Sequence, residues 1–179
     1  MDNLIISCND HAAIVQFKSY LSDCFHMKDL GVLKYFLGVE VARNLDGLFL
    51  CQRKYALDIL LEVGLLGAEP ANAPLEQQLQ LALADGKFLY DPKCYHRLVG
   101  RLLYPCFTRL ELSYCVYVLS QFMQQPKEAH WDAALRVERY LNGNPGQGIF
   151  RQCDCDLHLH GWCDSDCAGC PLTRQPLTG

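Results

Sequence analysis

Two runs rich in aromatic and aliphatic residues, Tyr35 to Arg43 and Leu48 to Cys51, are joined by Asn44-Leu45-Asp46-Gly47. Asp-Gly between such runs is a strong hairpin signal, because both residues tolerate the backbone conformations that reverse a strand pair. A small antiparallel sheet is therefore set early in the chain. What surrounds it follows from periodicity. Leu4 to Cys8 is a short apolar run that reads as a strand, and Asn9 and Asp10 offer a helix cap. Ile14, Phe17, Leu21 and Cys24 then recur at spacings of three and four, the signature of one helical face. Met27 to Gly31 forms a turn, so the opening reads strand, helix, strand, strand.

Helices dominate afterwards. Tyr55 to Val63 carries Leu57, Leu60 and Leu61, with Gly64 placed to stop it. Residues 68–87 hold Pro70, Pro74 and three glutamines without firm periodicity and read as a connector. From Pro92 to Leu141 three apolar faces follow one another. Leu98, Val99, Leu102 and Leu103 make the first; Cys115, Leu119, Phe122 and Met123 the second; Trp131, Ala134, Leu135 and Leu141 the third. Pro126 stands near the start of the last helix, and Gly143 and Pro145 end it. Leu157 to Asp164 alternates like a strand. Nothing after it supplies a neighbour, so the chain reads as cut at that end. The fold class is α+β.

Composition narrows the function classes. Among 179 residues, 50% are hydrophobic, enough to bury a core, and no run approaches the length that spans a bilayer. The first residues lack the cationic segment of a secretory signal. Formal charge is −4, which argues against a free-standing nucleic-acid binder but not against a piece of one. Eleven cysteines, an odd count without an export signal, are expected to be reduced and mostly core filler. That setting is intracellular and leaves cytoplasm and nucleus open.

Several separated blocks carry a family signature: Phe25-His26-Met27-Lys28-Asp29-Leu30-Gly31, Leu33 to Val41, Gln52-Arg53-Lys54-Tyr55-Ala56, Arg97-Leu98-Val99-Gly100, His130 to Val137 with Arg139-Tyr140-Leu141, and Cys163-Asp164-Ser165-Asp166. In this order and spacing the chain resembles the copia-type retrotransposon Pol polyprotein, from reverse transcriptase into the start of RNase H. The resemblance implies a small palm-derived antiparallel sheet, a helical thumb and connection region, and an isolated first strand of RNase H. Its boundaries are 1–67 for the end of the palm, a primer-grip-like hairpin and the start of the thumb; 68–87 for the connector; 88–150 for the helical region; and 151–179 for the truncated RNase H start.

The resemblance also implies chemistry. The family's Tyr-Val-Asp-Asp turn presents two carboxylates to catalytic Mg²⁺. Here Asp2 matches the first, and Asn3 stands in place of the second. Two-metal nucleotidyl transfer needs several anionic oxygens to offset the charge of the ions, and an amide supplies none. Asp164 matches the first RNase H carboxylate, and the acidic residues that would complete either site are missing. Bound Mg²⁺ is therefore not expected in this chain. Arg53, Lys54, Arg97, Arg101 and Arg109 are candidates for phosphate contacts to a template–primer duplex. Departures accompany the matches: the family's Thr-Arg-Pro-Asp-Ile-Ser-Tyr is Thr108-Arg109-Leu110-Glu111-Leu112-Ser113-Tyr114 here, and Cys167 replaces a tryptophan. The expectation is a fragment of an RNA-directed DNA polymerase, inactive by itself, with the rest of the polyprotein missing.

Two alternatives stand beside it. One is a catalytically dead nucleic-acid-binding module. The other is a small zinc protein built on Cys153, Cys155, His158, His160, Cys163, Cys167 and Cys170, although only Cys167 and Cys170 have the usual knuckle spacing. Trp131, Tyr35, Phe36, Tyr140 and Phe150 are read as core rather than as base-stacking positions. Glu111, Glu128, Asp132 and Glu138 are read as offsetting the basic residues on a solvated surface.

Overall fold

Asp10 starts the first regular element by accepting hydrogen bonds from the Ala12 and Ala13 N–H groups at 2.8 and 3.3 Å, as an N-cap carboxylate does. The computed structural model describes residues 3–76, 81, 86–154, 158 and 161. Its elements are α1 (His11–Cys24), β1 (Tyr35–Phe36), β2 (Val39–Arg43), β3 (Gly47–Cys51), α2 (Arg53–Glu62), α3 (Pro92–Leu102), α4 (Ser113–Ser120), α5 (Glu128–Gly143) and β4 (Gly148–Gln152). Short 3₁₀ turns at Pro105–Phe107 and Leu110–Leu112 lead into α4. The architecture is α+β, with the four strands in one antiparallel sheet of order β1-β2-β3-β4.

The hairpin forms where the sequence places it, for a different reason. Asn44 Oδ1 accepts from the N–H groups of Asp46 and Gly47 at 3.1 and 2.8 Å, so a side chain makes the turn. Gly47 is not among the residues with positive φ. It is needed because β4 lies alongside, and a Cβ there would run into the Arg151 carbonyl. Gly148 faces the same limit against the Leu50 carbonyl. The run Tyr35 to Arg43 also doubles back instead of forming one strand. Leu37 and Gly38 both have positive φ (46° and 84°), the requirement of a tight two-residue reversal, and they separate β1 from β2.

Two further expectations change. Leu4 to Cys8 has no strand structure, and Leu4 and Ile5 are exposed; no described strand lies beside the run to take up its backbone groups. The sheet instead gains β4, which returns after the helices and crosses residue 150. The alternating segment 157–164, expected as a lone strand, falls almost wholly outside the described residues, as do its Asp164 and the amino-terminal Asp2.

Helices supply the core. Ile59 from α2, Tyr95, Leu98, Val99 and Leu102 from α3, Cys115, Val116 and Leu119 from α4, and Ala133, Ala134, Val137 and Leu141 from α5 form one buried cluster. The Tyr95 hydroxyl donates to the Leu119 carbonyl at 2.7 Å, which satisfies the one polar group of that buried ring. Gly64, with φ 73°, ends α2 as expected: the Leu65 N–H reaches back to the Leu60 carbonyl at 2.9 Å. Neither α1 nor any strand adds a residue to this cluster, and no residue of α1 is buried.

Glu138 corrects the surface reading. It is fully buried, because the buried row of α5 runs His130, Ala133, Ala134, Val137, Glu138, Leu141, and position 138 lies on the inward stripe. No described donor reaches either of its carboxyl oxygens. Burial pushes its pKa up to about 8 from 4.5, opposed only in part by the Arg101 guanidinium. Between those two values the unfolded chain holds fewer protons than the folded one, so this group makes stability fall as pH rises through the window. His130 acts in the opposite direction. Its pKa is lowered, chiefly by burial, so its contribution is lost as pH falls below the ordinary histidine value. We expect Glu138→Gln to flatten the alkaline decline and to raise the melting temperature most at and above pH 8, by about 2–4 °C per kcal/mol gained, as measured by circular dichroism melts across pH.

Candidate nucleic-acid interface

Strand register decides which side chains share the open face of the sheet. Tyr35 pairs with Glu40 and Glu40 with Cys51, while Ala42 pairs with Phe49 and Phe49 with Phe150. Paired residues point to the same side, and so do residues two apart in one strand. Tyr35, Phe49 and Phe150 therefore line one face, and Lys34 and Lys54 flank Tyr35, Glu40 and Phe49 around a shallow groove of about 470 Å³. Tyr35 and Phe150 are 51% and 47% exposed, so the core role expected of them does not hold. Trp131 and Tyr140 do pack against the core, and Phe36 is half-buried.

The candidate basic residues separate into three groups. Arg53 and Lys54 open α2 and are exposed; the Lys54 N–H donates to Glu40 Oε1 at 2.9 Å, so a strand carboxylate caps the helix. Arg97 and Arg101, one turn apart on α3, both pair with Glu62 of α2, Arg97 at 3.1 Å. Arg109 is buried, with its guanidinium donating to Glu111 and, at 2.8 Å, to the Asn144 carbonyl. A phosphate contact by Arg109 would first have to break those bonds.

Arg109 belongs to a buried polar junction. The Thr108 hydroxyl donates to Gln52 Oε1 at 2.9 Å, and both residues are almost wholly buried. Gln52 is the residue between β3 and α2, while Asn144 lies between α5 and β4. His130 is fixed in one tautomer: its Nδ1 accepts from the Lys127 N–H at 3.0 Å, its Nε2–H donates to the Leu81 carbonyl at 3.1 Å, and its ring stacks on Phe122.

Among the described residues no group of three or more His, Cys, Asp or Glu side chains could hold a metal ion. Asn3, Cys153 and His158 are described and exposed. Asp2, Asp164, Cys155, His160, Cys163, Cys167 and Cys170 lie outside the described residues.

Comparison with known proteins supplies the family. The reverse transcriptase (RNA-dependent DNA polymerase) family matches residues 1–77. The retrovirus-related Pol polyprotein from transposon RE2 of Arabidopsis thaliana is 42% identical over 169 residues, covering 94% of this chain and 12% of the relative. An uncharacterised mitochondrial protein of the same plant is 36% identical over 179 residues, covering the whole of this chain and 74% of the relative. The Pol polyprotein from transposon TNT 1-94 of Nicotiana tabacum is 32% identical over 192 residues. The chain belongs to the copia-type retrotransposon Pol polyprotein family. It spans 12% of the length of the RE2 polyprotein, and no solved structure matches it.

Sequence reasoning missed several residues that matter in this Pol chain. Lys34 and Phe49 acquire their place only through register. Gln52 and Thr108 are polar residues at segment ends, with nothing local to mark them as partners 56 positions apart. Glu138 could have been found, since it falls on the same helical stripe as Ala134 and Leu141. Replacing Thr108 by valine leaves the buried Gln52 carbonyl without its donor. We expect a loss of roughly 1–3 kcal/mol, read from urea unfolding, while Ser at the same position retains most of the stability.

Proposed function

We propose that this chain is a duplex-holding part of a reverse transcriptase and that it does not polymerise by itself. The observation that supports it is the open sheet face, where Tyr35 and Phe49 share a groove with Lys34 and Lys54 and Phe150 pairs with Phe49 on the same side. Aromatic rings carry bases or sugars, and lysines position a phosphate backbone without reading its sequence. In the intact family this hairpin is the primer grip, and the helices after Gln52 form the thumb and the connection to RNase H. Arg53, next to Lys54, extends the same positive edge.

Catalysis in the intact family rests on Mg²⁺ held by paired carboxylates, which stabilises the attacking and leaving oxygens of nucleotidyl transfer. In this chain Asn3 offers a neutral amide beside Asp2, so holding a duplex is the activity its own residues support. The template–primer duplex is the partner, and the remainder of the polyprotein supplies the chemistry.

Fluorescence anisotropy with a labelled RNA–DNA hybrid tests the reading. We expect binding at low salt that weakens steeply as salt rises. In the Lys34→Glu/Lys54→Glu double variant, the magnitude of the slope of log K against log salt should drop by about 2, one for each phosphate that a lysine no longer neutralises. Absence of binding at low salt overturns the proposal. Primer extension should not exceed that of an Asp2→Ala control, and extension above it would refute the second half.

A further inference from the structure

A cleft between α2, α3 and α5 combines features that the open sheet face does not share. It encloses about 250 Å³, and Ile59, Val63, Leu98 and Trp131 form its apolar walls. Glu62, Arg97 and Arg101 stand at the same cleft. Their charges do not cancel. Arg97 Nε lies 3.1 Å from Glu62 Oε1, and Arg101 Nη1 pairs with the other oxygen, so two guanidinium groups share one carboxylate. Arg101 also acts on Glu138, a buried carboxyl whose pKa burial pushes up to about 8. One positive charge is left over beside an apolar wall.

The arrangement is also held in place. Arg101 lies over the Tyr55 ring, 5.7 Å from its centroid, and the Tyr55 hydroxyl donates to the Arg101 carbonyl at 3.3 Å. Its side chain is 31% exposed, whereas that of Arg97 is 67% exposed and open to a ligand from solution. Guanidinium groups match planar carboxylates and phosphates in two-point fashion, and an indole ring stacks on other rings. The volume is below the roughly 300–1,000 Å³ of pockets for drug-sized ligands, so the occupant carries one or two rings. A nucleic-acid duplex does not fit in such a cleft.

We propose that this cleft is a binding site for a small aromatic anion, with the ring against Trp131 and the carboxylate or phosphate on Arg97 and Arg101. The site is independent of the duplex-holding face and stands or falls separately from it. A carboxylate metabolite and a nucleoside monophosphate share the required chemistry.

Isothermal titration calorimetry on the whole chain tests the site with 2-naphthoate, its neutral amide 2-naphthamide, adenosine 5′-monophosphate and inorganic phosphate. We expect 2-naphthoate to bind and the amide to bind at least tenfold more weakly. Arg97→Gln, at an exposed position, should weaken naphthoate about fivefold or more without changing the melt. Cys94→Phe, which fills the cleft from its α3 wall, should abolish binding. If that variant fails to fold, Arg97→Gln and the neutral amide carry the test. Monophosphate binding with the same dependence on Arg97 assigns the site to nucleotides, and naphthoate binding alone assigns it to carboxylates. No binding of either anion at millimolar concentration overturns the proposal. Inorganic phosphate binding as tightly as the aromatic anions overturns it too, as does naphthoate binding that is indifferent to Arg97→Gln.

Discussion

The buried contact between Gln52 and Thr108 is the constraint on which the rest of the molecule depends. Gln52 ends the hairpin and precedes α2, and Thr108 lies in the irregular segment that leads to α4. Arg109, next in sequence, is bound to the carbonyl of Asn144, where α5 ends and the chain turns toward β4. These three residues join the sheet to the helical bundle at both points where the chain passes between them. Buried polar groups of this kind are costly unless satisfied; Gln52 Oε1 and the Arg109 Nε and Nη1 groups find partners across the junction, while Gln52 Nε2 and Arg109 Nη2 have none among the described residues. Tyr104 adds a further tie, its hydroxyl donating to the carbonyl of Leu37 in the reversal between β1 and β2.

A division of labour follows from that junction. The helices α2 to α5 bury the apolar side chains into one cluster, which gives a stable body. The sheet is held to that body by its edges and by hydrogen bonds while its aromatic face stays open. An open face with rings and lysines suits a surface that holds a large polyanion. The match of residues 1–77 to the reverse transcriptase family accords with that proposal. The cleft on the bundle is of another character: small, partly apolar, and charged at the mouth by a surplus guanidinium.

Local signals were legible where the physics is local. The three-and-four spacing of Ile14, Phe17 and Leu21, Asp10 before α1 and Gly64 after α2 all mark elements that form as read, because caps and amphipathic stripes depend on neighbouring residues. Gly47 shows the limit of such signals. The Asp-Gly pair marks the hairpin correctly, yet the glycine is required by the approach of β4, about a hundred residues later, and not by the turn. Glu138 shows another. Its stripe was readable, but a carboxylate among Ala134, Val137 and Leu141 runs against the expectation that charge faces water, and only packing shows that it is enclosed.

The sequence by itself determined the helices and their order, the early hairpin and the family, because periodicity, caps and motif blocks are properties of nearby residues and of their order. Tertiary structure alone decided that Leu4 to Cys8 forms no strand and that β4 completes the sheet. It also decided that Arg109 is buried while Lys34 and Phe49 line the open face, and that Arg97 and Arg101 meet on Glu62. Each of those outcomes depends on contacts between segments far apart in the chain, and the free energy of such contacts is set by what they exclude from water together.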